Sequence, residues 1–328
     1  MARPRFVIEA SEAESMAKQS NLTVAQLLPS LVKSAQSLAR VPISKFHVGA
    51  VGYGSSGRIF FGVNLEFPGL PLHYSVHAEQ FLVTNLSIQS EPRLDYVAVS
   101  AAPCGHCRQF FQEIRRAQDI NVLITSDESG NDKSCGQFSP LRHLLPHQFG
   151  PEDLLGEDVP LVLEKHNNAL SLKKPETFGD DLTSHALEAA NRSHAPYSRC
   201  PSGVAILDSE GNIYRGWYME SAAYNPSMGP VRAALVDFIV SGGGGYEQIV
   251  AAVLVEKEDA LVKQEQTARL LLQTISPKVA PTAAIVWILR LIYAFPPVES
   301  DFACDAAIAT ASPGGGWSNL QDAPYLHR

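Results

Sequence analysis

The chain has 328 residues, 45% of them hydrophobic and 18% charged, with a formal net charge of −8. This composition excludes a disordered chain and supplies apolar material for about two domains. The acidic balance disfavours nucleic acid as a partner, since proteins that hold a polyanion carry a basic face. Of five cysteines only Cys104 and Cys107 lie close together, a spacing that reads as metal or redox chemistry rather than a disulfide framework.

Residues 1–20 read as an N-terminal arm. Glu9, Glu12 and Glu14 follow Arg3 and Arg5 too closely for an organellar transit peptide, and no apolar stretch resembles a signal peptide. Residues 27–40 carry apolar positions near helical period and are stopped by Pro42. Residues 47–66 form two extended runs about a Gly-Ser-Ser-Gly turn, a hairpin signal. A helix is predicted over 77–88, a buried strand over 94–102, a helix over 104–118 opened by Pro103, and a strand over 121–126. That order describes an α/β domain with a mixed sheet.

The chain then repeats itself. Residues 57–66 (GRIFFGVNLE) match residues 211–220 (GNIYRGWYME) at an offset of 154, pairing Gly57 with Gly211, Gly62 with Gly216 and Glu66 with Glu220. The same offset pairs Pro42 with Pro196, Ser44 with Ser198 and Gly49 with Gly203. The period is too long for a solenoid, so two copies of one domain are expected, at 21–150 and 179–328, joined by a linker at 151–178. Copy two predicts a helix at 181–192, a hairpin at 203–217, a helix near 231–240 and a strand near 249–255. The most apolar run, 282–295, is interrupted by Arg290 and ended by Pro296 and Pro297. It is short for a bilayer and reads as a buried strand or helix, so a soluble cytoplasmic protein is expected.

The sharpest signal is His77-Ala78-Glu79 followed, 24 residues later, by Pro103-Cys104-Gly105-His106-Cys107. This is the H-x-E…P-C-x-x-C pattern of zinc deaminases that act on nucleobases. Two cysteines three apart at a helix start put their sulfurs on one face, and the free N–H groups there favour thiolate. His77 supplies a third ligand, which leaves tetrahedral Zn²⁺ an open position where water is activated. Glu79 is then a proton shuttle rather than a fourth ligand. Structural zinc would need a further donor, with Cys135 and His106 the candidates, and a redox pair would leave His77-Ala78-Glu79 unexplained. Cys135, Cys200 and Cys304 read as small buried residues.

Together with FGVNLEF (61–67), HAEQ (77–80), PCGHCRQF (103–110) and LLPHQFGPEDL (144–154), the chain resembles the cytidine deaminases, specifically their two-domain homodimeric branch. The resemblance implies a three-layer fold, a mixed sheet flanked by helices, duplicated in the chain. It implies one zinc per chain on His77, Cys104 and Cys107, with Glu79 as the catalytic acid and base. It places Asn64 and Glu66 on the ribose 3′-hydroxyl, Phe46 against the pyrimidine, the Ala78 carbonyl on the amino group, and Phe149 over the ring near a dimer interface. Ala101 and Ala102 depart from the larger side chains of bacterial relatives. The activity implied is hydrolysis of cytidine and 2′-deoxycytidine to uridine and 2′-deoxyuridine with release of ammonia, in pyrimidine salvage.

At offset 154 the triplet His77-Ala78-Glu79 falls on Val231-Arg232-Ala233, and PCGHCRQFF aligns with 262–271, which has no cysteine. Copy two is therefore expected to hold no zinc and to serve as a scaffold that completes a homodimer. The partners expected are a nucleoside and a second copy, with no membrane. A polynucleotide-editing deaminase, a dCMP deaminase and a non-catalytic zinc protein stay open as alternatives. The pair Arg115–Arg116 is the nearest approach to a strand-binding stripe.

Overall fold

A computed structural model describes residues 5–125, 137–172, 180–276 and 286–293. The first copy runs β1 (Val7–Ile8), α1 (Ala10–Gln19), α2 (Val24–Gln36), β2 (Gly49–Gly54), β3 (Ile59–Val63), α3 (Ala78–Ile88), β4 (Leu94–Val99), α4 (Gly105–Phe111), β5 (Asn121–Ile124) and β6 (Ser139–Pro140). After the short α5 (Pro151–Leu154) come β7 (Leu170–Leu172), α6 (Asp180–Asn191), β8 (Ser202–Asp208), β9 (Ile213–Trp217), α7 (Pro230–Val240), β10 (Ile249–Lys257), α8 (Glu265–Ile275) and β11 (Val286–Tyr293).

The strands make two sheets, ordered β1-β3-β2-β4-β5-β6 and β9-β8-β10-β11-β7. In each, one pair is parallel, β4 with β5 and β10 with β11, and the other ladders are antiparallel. The sheets are thus mixed and share one strand plan over four strands. The apolar run at 282–295 supplies β11, a strand in the place that β5 holds in copy one. Among the described residues no helix is long and apolar enough to cross a membrane.

Local sequence explains why the two halves follow the same path. Both hairpins turn through a glycine at positive φ, Gly57 at 86° and Gly211 at 88°, where a Cβ would be strained. Gly62 and Gly216 serve a different need, close approach of strand to helix. A Cβ on Gly62 would stand 2.2 Å from the Ala78 carbonyl oxygen, and one on Gly216 would stand 2.0 Å from the Ala234 nitrogen. The helix expected from residue 27 starts earlier, because Thr23 and Gln26 form a reciprocal capping box.

Two expected boundaries shift. Residues 5–20 of the expected arm pack on the first domain: Phe6 is buried and stacks on Phe81 at 5.4 Å, and β1 pairs with β3. The stretch expected as linker contains β7, the edge strand of the second sheet. A third correction concerns the repeat. The loop closed by the Leu65–Val76 bridge is two residues longer than the one closed by Met219–Met228. Helices α3 and α7 therefore correspond at an offset of 152, so His77 matches Gly229 and Glu79 matches Val231, not Val231 and Ala233. At the second helix the N-caps Cys104 and Gln264 correspond, which places Thr267 opposite Cys107.

The two copies meet through α3 and α7, and one apolar core runs through both. Every residue from Ala78 to Ser87 is buried, so α3 is covered on all sides although its sequence contains Glu79, Gln80, Thr84 and Asn85. A helix covered all round can carry such groups only where each finds a partner or a function.

Candidate active site

The metal group is built by two helix starts. His77 is the N-cap of α3 and Cys104 the N-cap of α4, both with extended backbone, and Cys107 lies one turn into α4. His77 Nδ1 lies 3.4 Å from Cys104 Sγ and 3.3 Å from Cys107 Sγ, and the two sulfurs are 3.7 Å apart. A tetrahedral Zn²⁺ with Zn–S near 2.3 Å and Zn–N of about 2.0–2.1 Å separates its ligands by about 3.6 Å (N to S) and about 3.8 Å (S to S). The three donors therefore already stand at the edges of such a tetrahedron, with Nδ1 as the ligating ring atom. They are the only His, Cys, Asp or Glu group with this geometry among the described residues. His106 sits beside them, its ring centre 5.7 Å from that of His77, but belongs to no ligand set. Cys135 lies outside the described residues, as does Cys304; Cys200 is buried.

The two thiols are held in unlike surroundings. Hydrogen bonding with Cys107, then with His77, pulls the Cys104 thiol down to about 3, whereas Cys107, bonded to Cys104 and buried, is pushed up. A divalent ion held here would require both sulfurs as thiolates. Glu79 is buried next to this pair. Burial pushes its carboxyl above the ordinary range, against the opposing pull of its own backbone N–H, the Cys107 thiol and His77. A carboxyl that keeps a proton readily, touching the ligand set without joining it, is suited to proton transfer.

The remaining expected residues form a second group. Asn64 accepts from the Val48 N–H at 2.9 Å and donates to the Phe46 carbonyl at 2.9 Å. Glu66 accepts from the N–H groups of Ile43 (2.8 Å) and Ser44 (2.9 Å) and from the Ser44 hydroxyl. Both side chains thus brace the turn that carries Phe46, whose side chain is 62% exposed and offers an open aromatic face. This group joins the metal group through Leu65, which bridges to Val76, the neighbour of His77. The Ala78 carbonyl packs against Gly62. Phe149 is exposed, and its carbonyl accepts from Gln109 of α4. Arg108 of α4 likewise donates to the Leu144 carbonyl at 2.8 Å, so the 144–150 segment hangs from the cysteine-bearing helix.

Copy two repeats the brace without the chemistry. Glu220 accepts from the N–H groups of Tyr197 and Ser198 and from the Ser198 hydroxyl, as Glu66 does in copy one. At the place of the ligands stand Gly229, Gln264 and Thr267, around a cavity of about 230 Å³ that is also lined by Tyr218 and Arg232. The sequence did not point to a buried node between the copies. Glu113, wholly buried, accepts from Tyr197 Oη (2.8 Å), His194 Nε2 (3.0 Å) and the Ala222 N–H (2.7 Å). The signal available was Glu113 itself, a charge on the apolar face that continues from Phe110. Arg115 and Arg116 pair with Glu164 and Asp119.

Comparison with known proteins agrees with this geometry. Residues 22–124 match a family model described as the cytidine and deoxycytidylate deaminase zinc-binding region, and residues 141–269 match a second model of the same description. Cytidine deaminase 1 of Arabidopsis thaliana is 62% identical over 290 residues, covering 85% of this chain and 96% of that protein. The cytidine deaminase of Serratia proteamaculans is 36% identical over 263 residues, covering 80% and 84%. A crystal structure of cytidine deaminase from Mycobacterium tuberculosis aligns with 38% of this chain and 95% of its own, at 27% identity and a TM-score of 0.32. Two matched domains in tandem, a His-Cys-Cys group able to hold zinc and relatives of this identity lead to one conclusion: the chain belongs to the cytidine deaminase family, in its duplicated two-domain form.

Proposed function

We propose that the protein hydrolyses cytidine and 2′-deoxycytidine to the corresponding uridines and ammonia, with copy one as the catalytic domain. The observation that carries this is the buried Glu79 carboxyl beside His77, Cys104 and Cys107. Zinc, when bound there, activates water toward the electron-poor C4 of the base. Glu79 takes one proton at its carboxylate, passes it to ring N3, and carries a second to the departing amine, so that water and cytidine give uridine and ammonia in balance. Phe46 offers a flat apolar surface to the base. Glu66 has two oxygens and three donors on it already, which leaves an acceptor position for a ribose hydroxyl. A sugar contact at the 3′-hydroxyl leaves the 2′ position unread, so both nucleosides serve.

We further infer a homodimer, in which two copies in each of two chains surround the catalytic pockets, and a reducing compartment such as the cytoplasm, where ligand thiols stay unpaired. The test is ammonia release from cytosine, cytidine, deoxycytidine and dCMP, with and without a chelator. Both nucleosides should turn over, chelator should abolish the reaction, and the free base should lag far behind. Equal kcat/KM for cytosine and cytidine would refute the roles of Asn64 and Glu66. Preference for dCMP would move the substrate to the nucleotide. Full activity in a monomer, measured by ultracentrifugation at assay concentration, would remove the shared pocket.

A further inference from the structure

The two helices that carry the metal ligands each reach out to the same loop of the degenerate copy. On α3, Gln80 follows Glu79 and is buried; its Nε2 donates to the Pro226 carbonyl at 2.8 Å. Just past the end of α4, Glu113 accepts the Ala222 N–H at 2.7 Å. Both contacts land within residues 220–228, and both cross from copy one to copy two.

That loop is built to be stiff. Its neck is closed by paired hydrogen bonds between Met219 and Met228, at 3.0 and 2.7 Å. Inside it, the Ser221 N–H donates to Ser227 Oγ (3.0 Å), Tyr224 N–H to the Ser221 carbonyl (2.8 Å) and Ser227 N–H to the Tyr224 carbonyl (3.0 Å). Tyr224 stands at a φ of 59°, in the left-handed region that few non-glycine residues enter. Glu220 at the start of the loop is clamped to Tyr197 and Ser198, and Tyr197 and His194 both bond Glu113.

We propose that loop 220–228 is a strut that sets the spacing of α3 and α4, and that Gln80 and Glu113 are its positioning residues. His77 opens one of these helices and Cys104 and Cys107 the start of the other, so the strut holds the nitrogen donor against the two sulfurs. The degenerate copy thereby contributes to metal retention without touching the metal. Groups that orient ligands from behind commonly change metal affinity about 10–100-fold when removed.

The proposal rests on the three-donor site described above, and its test separates the two. Zinc-loaded full-length protein is challenged with a chromogenic chelator, and the Co²⁺-substituted protein is examined by visible absorption, in wild type, Gln80→Leu, Glu113→Gln and the double variant. Each single variant should lose zinc about 10–100-fold more readily and shift the cobalt band. The double variant should be little worse than the poorer single, because both contacts act through one loop. Glu91→Gln is the control: that buried carboxylate holds Ser56 and Arg58 far along the same domain, and its loss should lower thermal stability while leaving zinc release and the cobalt band unchanged. Should Glu113→Gln not fold, Gln80→Leu alone decides. Unchanged zinc release in the variants, additive losses in the double, or equal loosening in Glu91→Gln each overturn the strut. A wild-type chain that takes up no zinc overturns the site itself.

Discussion

The two copies share a strand plan, a hairpin glycine, a helix-packing glycine and a carboxylate-braced turn, yet one has a ligand set and the other does not. What persists in both is what the backbone requires. Gly62 and Gly216 are fixed by helix contact, and Glu66 and Glu220 by three donors each. What differs lies at the starts of two helices, where His77, Glu79, Cys104 and Cys107 become Gly229, Val231, Gln264 and Thr267, and at the braced turn, where Phe46 and Asn64 become Cys200 and Tyr218. The difference teaches that this fold forms without the ligand set, since copy two keeps the strand plan while lacking the donors.

The largest contrast should come from the ligands themselves. Cys104→Ala removes one of three donors and should lose zinc and turnover together, while Gln264→Ala at the corresponding place should leave both unchanged. Metal analysis should return one zinc per chain in wild type and in Gln264→Ala. Two zincs per wild-type chain would break the comparison. Glu79→Gln should come next, lowering kcat by about 10²–10⁴ through loss of proton transfer while zinc is retained. Turnover near the wild-type rate in a zinc-replete Glu79→Gln enzyme would remove that residue from its role.

A third contrast uses the packing glycines. Gly62→Ala and Gly216→Ala each force a methyl into helix backbone, at 2.2 Å and 2.0 Å, and should each cost about 1–3 kcal/mol or more of stability. Activity per folded molecule should fall only for Gly62→Ala, because the backbone it displaces is Ala78, between His77 and Glu79. Equal loss of specific activity in Gly216→Ala would mean that strain spreads across α3 and α7.

These experiments probe different depths of legibility. The cysteine pair was readable because its spacing is local: a helix start presents Cys104 and Cys107 together whatever the rest of the chain does, and His77 was readable only through the motif that joins it to them. Element order was readable from apolar periodicity and from Pro42 and Pro103. The two-residue slip between α3 and α7 was not, since the repeat has no matching anchors between Glu66 and the helix, and loop length is a property of the closed Leu65–Val76 and Met219–Met228 bridges. Nor was the burial of Glu113, whose partners His194 and Ala222 lie 81 and 109 residues away. Residues 282–295 were ambiguous between strand and helix because a continuous apolar run has no period; the parallel ladder with β10 decides it for 286–293.

The finest contrast is between Glu66 and Glu220, which make the same three contacts in the copy that carries the His-Cys-Cys group and in the copy that lacks it. Burial alone would raise the pKa of Glu66, but the hydrogen bonds from Ser44 and Ile43 outweigh it and hold the carboxyl below the ordinary 4.5. A carboxylate depressed on folding stabilises the native state above its unfolded pKa, and that contribution fades as pH falls through the folded value. The stability gap between wild type and Glu66→Gln should therefore be widest near neutrality and close as pH drops below about 4.5, measured by denaturant midpoints across pH. Glu220→Gln should also lose stability at neutral pH, since the same N–H and hydroxyl donors lose their carboxylate. If the proposed ribose contact holds, only Glu66→Gln should raise KM for cytidine while sparing KM for cytosine. If both variants raise KM alike, the carboxylate acts through the turn in each copy and not on the sugar.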